Sequence, residues 1–294
     1  MSHVRLDVAE IDVALEEEPI APGRASDRAE GSRVARIWRV FVRRVLRGRV
    51  LGLICQVLLF GVWWLVTADG LNIIRPLKFP TPRMVGRVFV DSPALLLNGT
   101  EWTLGRVVVG LVIGGIGGVV IGLLMSRYKV VYNILDPQIE SMRPIPPLAA
   151  IPFIILWFGI GETGKMLLVA SGVFMIMVVT TVEAAHHVSP IYVRAALSLG
   201  APKGQIYRTV IFPAILPPLV AGLRVSTAAA FGLVVAAEFM GAQKGLGYLV
   251  MNASRTLDTG MILTAMLILG VVSFALDKLI RLIAAYVMRW AETS

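Results

Sequence analysis

The chain has 294 residues, 56% of them hydrophobic and only 16% charged, with a formal net charge of +9. Soluble domains carry about 25% charged residues, so this balance excludes a water-soluble fold and defines a polytopic, all-α membrane protein. The single cysteine, Cys55, excludes a disulfide framework within one chain.

Residues 1–32 are acidic and rich in small residues, with Glu16, Glu17 and Glu18 at their centre. They carry too few large apolar groups to offset ordering entropy, which predicts a disordered tail. They also lack the apolar core that a cleavable signal peptide requires. Residues 33–49 alternate Arg33, Arg36, Arg39, Arg43, Arg44, Arg47 and Arg49 with Val34, Ile37, Trp38, Phe41 and Val45. That spacing predicts a basic amphipathic helix lying on anionic membrane lipid, and a membrane span follows at once. A nucleic-acid role is the weaker alternative for such a stretch.

Six spans follow, within a membrane domain covering residues 50–290. They are expected near Val50–Ala68, Trp102–Met125, Asp136–Phe158, Met166–Ala185, Leu216–Met240 and Gly260–Val287. Each approaches the about 20 residues needed to cross about 30 Å of hydrocarbon. The second carries Gly110, Gly114, Gly118 and Gly122, a small-residue ladder suited to close backbone contact. The third contains Arg143, Pro144, Pro146 and Pro147, which cannot continue a regular helix. Irregular backbone at membrane depth survives only against protein or a watery cavity, so this segment is expected to line a translocation path. Arg224 and Glu238 in the fifth span join Arg143 as path candidates, because intramembrane charge defaults to function; a structural ion pair is the competing reading. Asp277 and Arg281 have the spacing of a simple surface pair.

Gly159–Met166 fits two nucleotide-binding patterns by accident. Met166 stands where a magnesium-binding hydroxyl is needed, and the flanks are membrane spans. It reads as a glycine turn between spans. His186 and His187 lack a cysteine or carboxylate cluster at ligand spacing, so no metal site is expected, and no enzyme site emerges.

Residues 189–213 form the long polar interruption in the second half. Ser189 suits an N-cap and Pro190 the first helical position. Gly200 can stop the helix in the left-handed conformation. Pro202 is expected to start a second short helix and Pro213 to end it. Helices of about 10 residues are unstable alone in water, so something must dock on them.

Arg194, Ala195 and Ala196, then Gly200 three residues on, then Val210, Ile211, Phe212 and Pro213 after nine more, match the spacing of a family motif. The stretch resembles the cytoplasmic loop of inner-membrane permeases of bacterial ATP-driven importers, of the type I architecture. Arg194 stands where that family has an acidic residue. The phrases at 143–149 and 157–163, and Ala236–Val250, are similar to permeases for taurine and related sulfonates; the resemblance spans about Leu51 to Arg281.

The resemblance implies a subunit that catalyses nothing and holds no cofactor. ATP and magnesium would bind two separate ATPase subunits. A second copy of the chain would complete the pore, and a periplasmic or lipid-anchored binding protein would deliver substrate. Arg194, Ala195, Ala196, Ser198, Leu199, Gly200, Ala201, Lys203 and Pro213 are then the expected coupling residues. Arginine and lysine bias favours cytoplasmic N- and C-termini in the inner membrane. An ion-coupled secondary transporter would need acidic relays in several spans, and few are present. A membrane scaffold would have no use for a proline break at depth.

Overall fold

The computed structural model describes residues 50–67 and 79–288. The expected tail at 1–32, the amphipathic helix at 33–49, and Ala68, Arg75, Lys78 and Arg289 lie outside the described residues. The chain divides into two units at the Val62–Trp63 junction. Helix α1 (Val50–Thr67) carries an almost wholly exposed apolar surface in its first-unit residues. In the second unit, Trp63 donates its indole N–H to the Pro80 carbonyl at 3.0 Å.

The described residues of the second unit from Pro82 onward are helical apart from short connections. Its elements are α2 (Pro82–Asp91), α3 (Pro93–Arg127), α4 (Lys129–Met142), a 3-10 turn (Pro147–Ala150), α5 (Ile151–Phe158) and α6 (Glu162–His186). They continue with α7 (Pro190–Ser198), α8 (Lys203–Ile206), a π-helical turn (Tyr207–Ile211), α9 (Phe212–Phe239), α10 (Leu246–Arg255) and α11 (Thr259–Val287). Side chains cap two starts. Thr81 accepts from the Met84 amide, and Asp258 from the Met261 amide.

Among the described residues, five helices are long and apolar enough to cross a membrane. A sixth span is made if α4 and the 3-10/α5 segment count together, though they meet at 89°. The third span expected at Asp136–Phe158 is thus interrupted at its prolines, as their positions predict, and its first half begins earlier, at Lys129. Pro137 is accommodated inside α4, and the break falls at Arg143–Pro146, where successive prolines remove donors and clash with the preceding turn.

The core forms where α3, α6 and α9 meet, around Val107, Val169, Val173, Ile215 and Val234. Helices α3 and α6 run parallel along the glycine ladder. A Cβ at Gly110 would strike Val169, at Gly114 the Ala170 carbonyl, at Gly118 Met177 and at Gly122 Thr181. The contacts advance in steps of about four residues on both helices, so one backbone ridge lies in the other's groove. Helix α9 returns antiparallel, bringing Glu238 to the end of the bundle where α6 begins.

Candidate functional site: a helical core with an exposed loop end and a welded turn end

The loop end is built from the close of α6, the short helices and the start of α9. Ser189 precedes α7 in extended backbone, although its side chain makes no capping bond. Gly200 has φ +79°, the left-handed stop its sequence position called for. Around it the surface is apolar and open: Leu199 is 88% exposed, and Ile191, Tyr192 and Leu197 are also exposed. Arg194, Ala195, Ser198 and Lys203 share this exposed surface, with Ala196 and Ala201 partly buried.

The second short helix departs from expectation. Pro213 does not end it. After Ile206 the chain widens into the π-helical turn and passes directly into α9, where Pro213 occupies the first turn. The helix is continuous here, the Phe212 amide donating to the Tyr207 carbonyl, and Pro213, which has no amide to donate, is accommodated beside the widened turn. The joint is pinned from below. Ile206 is buried, the Tyr207 hydroxyl donates to the Ser126 carbonyl at 2.7 Å, and the Arg127 guanidinium lies 4.9 Å from the Tyr207 ring centre.

At the turn end the chemistry is reversed. Arg106 of α3, 1% exposed, makes four hydrogen bonds. Its Nε and Nη2 fork onto the Glu162 carboxylate at 2.6 and 2.9 Å, and its Nη1 reaches Glu238 Oε1 at 2.5 Å and the Lys244 carbonyl at 2.8 Å. Lys165 closes on Glu162 at 2.9 Å. Two cations therefore face two carboxylates. Glu238 also accepts from the Thr103 hydroxyl and from the Gly247 amide at 2.7 Å, while Thr103 accepts from the Leu246 amide. A Cβ at Gly245 or Gly247 would collide with the Glu238 carboxylate, so the glycines let backbone approach it. Buried charge is tolerable only when paired and fully hydrogen-bonded, and no buried side-chain polar atom among the described residues lacks a partner.

The sequence-predicted path residues are thus separated. Glu238 is locked at the turn end. Arg224, 36% exposed, bonds Asp277 of α11 at 2.7 Å, and Asp277 also holds Arg281. The pair read as a surface contact is a three-residue bridge between helices. Arg143 pairs with Glu140 at 2.8 Å beside the proline break. Pro144, Pro146 and Pro147 form that break, and Pro147 packs near Gly172 and Leu233 of the core helices. Arg106, Glu162 and Lys165 escaped the sequence reading. An arginine inside an otherwise apolar span was the available signal.

A family model for the inner membrane component of binding-protein-dependent transport systems matches residues 114–292. The chain belongs to that family: it is a multi-pass inner-membrane permease of an ATP-binding-cassette transporter, and ATP hydrolysis resides in a separate subunit. An ATPase and a substrate-binding protein are its partners, and the permease itself binds no cofactor.

Within the family, it is 34% identical to the taurine transport system permease protein TauC of Escherichia coli (strain K12), over 79% of this chain and 86% of that one. It is 30% identical to the putative aliphatic sulfonates transport permease protein SsuC of Bacillus subtilis (strain 168), over 84% and 89%. In fold it matches the MetNI methionine ABC transporter, with TM-score 0.55 and 23% identity, over 67% of this chain and 97% of that one. An amino acid ABC transporter gives TM-score 0.53.

Proposed function

We propose that this permease imports taurine or a related sulfonate, two copies forming one pore above two ATPase subunits. The supporting observation is the loop end. Helices α7 and α8 are too short to persist unaided, yet expose Ile191, Tyr192, Leu197 and Leu199 beside Arg194 and Lys203. The ATPase grips this surface on the cytoplasmic side, through Arg194, Ala195, Ala196, Ser198, Leu199, Gly200, Ala201 and Lys203. Pro213 lies where the motion enters α9. ATP-driven closure of the ATPase pair pushes the short helices, and the bundles rock as rigid bodies to expose the path alternately.

Charge supports the orientation. Ten arginines precede the first span, and Arg127, Lys129, Arg194, Lys203 and Arg208 lie at the loop end, against Arg75, Lys78, Arg83, Arg87, Lys165, Lys244 and Arg255 in the opposite loops. Both termini are then cytoplasmic. The irregular segment Arg143–Pro147 lines the path, with Arg224 as a further cationic position for an anionic substrate; Glu238 is held in the turn-end network instead.

The test is a Leu199→Cys variant in a Cys55→Ser background, reconstituted with the ATPase and binding protein. Cross-linking of residue 199 to the ATPase, together with ATP-dependent uptake of taurine, is expected. Labelling of residue 199 from the outside, or uptake that survives ATP depletion but follows the proton gradient, would overturn the reading.

A further inference from the structure

A cavity of about 550 Å³ opens between the loop-end halves of α6 and α9, beside the first turn of α7. Thr180, Glu183 and His187 of α6 form one wall with Tyr192 of α7; Ala214 and Pro218 of α9 form the other. The volume lies within the range of small-molecule sites.

The polar wall sets acceptors on Thr180, Glu183 and His187 beside the hydroxyls of Ser189 and Tyr192. Glu183 stands exposed in the last turn of a helix apolar enough to cross a membrane, and among the described residues its carboxylate makes no hydrogen bond or ion pair. Of the other carboxylates on the membrane-length helices, Glu162, Glu238 and Asp277 are each held by arginine, while Glu101 at the opposite end of α3 is exposed. A carboxylate so placed must stay wet or meet a cation. His187 Nδ1 lies 2.7 Å from the Glu183 backbone carbonyl, an oxygen that can only accept, so Nδ1 carries the proton. In the tautomer with its single proton on Nδ1, the ring presents Nε2 to the cavity as an acceptor. The Thr180 hydroxyl spends its proton on the Ile176 carbonyl at 2.8 Å, leaving its lone pairs free. Arg143, the cation within electrostatic reach of Glu183, is already paired to Glu140.

A carboxylate, an imidazole nitrogen and a hydroxyl oxygen together suit a group with several N–H donors and a positive charge. We propose that this cavity receives the ammonium end of a zwitterionic amino-sulfonate, with Glu183 as its counter-charge and the Ala214–Pro218 wall against its short alkyl chain. The inference rests on the import reading above and narrows it, since an alkanesulfonate without an amine leaves Glu183 unpaired. The cavity also touches α7, so a substrate held there contacts the element that the ATPase moves.

The test uses the complete transporter in proteoliposomes, with taurine and ethanesulfonate as probes and basal ATP hydrolysis as the check on folding and assembly. Glu183→Gln is expected to lower taurine uptake about tenfold, the loss of one charge-assisted contact. Ethanesulfonate uptake, where the wild type shows it, and basal ATP hydrolysis should stay within about twofold. Glu183→Asp should restore most taurine uptake. Unchanged taurine uptake in Glu183→Gln, an equal fall for both sulfonates, no rescue by aspartate, or a loss of basal hydrolysis would each overturn the proposal. A wild type that carries ethanesulfonate but not taurine would overturn it while sparing the importer reading. A wild type that carries neither would instead strike the import reading itself.

Discussion

Helix α6 carries a carboxylate near each end, Glu162 and Glu183, about 30 Å apart at 1.5 Å per residue. Glu162 is gripped by Arg106 and Lys165, while Glu183 is unpaired at the edge of an open cavity. The difference extends to the backbone around them. The turn end binds α3, α6, α9 and the Gly245–Gly247 segment into one network. The loop end holds short helices, a π-helical turn and exposed apolar side chains. Rigidity and responsiveness are thus assigned to opposite ends of the same helices.

The contrast can be broken most decisively at Arg106. Arg106→Ala leaves Glu238 buried without its main partner, and breaking a buried pair costs about 3–5 kcal/mol. Thermal unfolding of the purified complex should show a large drop; a change under about 1 kcal/mol would mean the turn end is not welded. Gly118→Val comes next. Its side chain would meet Met177 and the Phe174 carbonyl, and overpacking costs about 1–3 kcal/mol, read in the same assay.

Gly200→Val sharpens the other side. The left-handed position costs a β-branched residue about 1–2 kcal/mol, confined to the loop because a Cβ there meets open space. Global stability should barely move while ATP hydrolysis is uncoupled from uptake; normal coupled transport would contradict the role given to the loop. Tyr207→Phe removes one hydrogen bond to the Ser126 carbonyl and should cost about 1 kcal/mol, with partial uncoupling. Deleting residues 1–32 should leave uptake unchanged, and a large loss at normal expression would refute the solvated-tail reading.

Features whose cause is local were visible in the chain itself. The glycine ladder has a fixed period, the prolines after Arg143 forbid a regular helix, and Gly200 follows a short helical run. What stayed hidden depended on distant partners. Arg106 meets Glu162 and Glu238 across sequence separations of 56 and 132 residues, which no spacing rule reaches. Asp277 looked complete with Arg281 alone because Arg224 lies 53 residues away. Pro213 was misread as a terminator for a different reason: proline ends one helix and begins another with equal ease, and the intervening π-helical turn left no signature.

The glycine ladder between α3 and α6 has a mechanical corollary. Side chains at an ordinary helix contact can swap rotamers and absorb a small sliding movement. Along Gly110, Gly114, Gly118 and Gly122 one partner has no side chain to adjust, and the other presses on bare main chain. The two helices therefore behave as a single strut without backlash. A displacement applied near Arg127 arrives near Arg106 undiminished, and heat or mutation that loosened this joint would blunt the machine before it unfolded it.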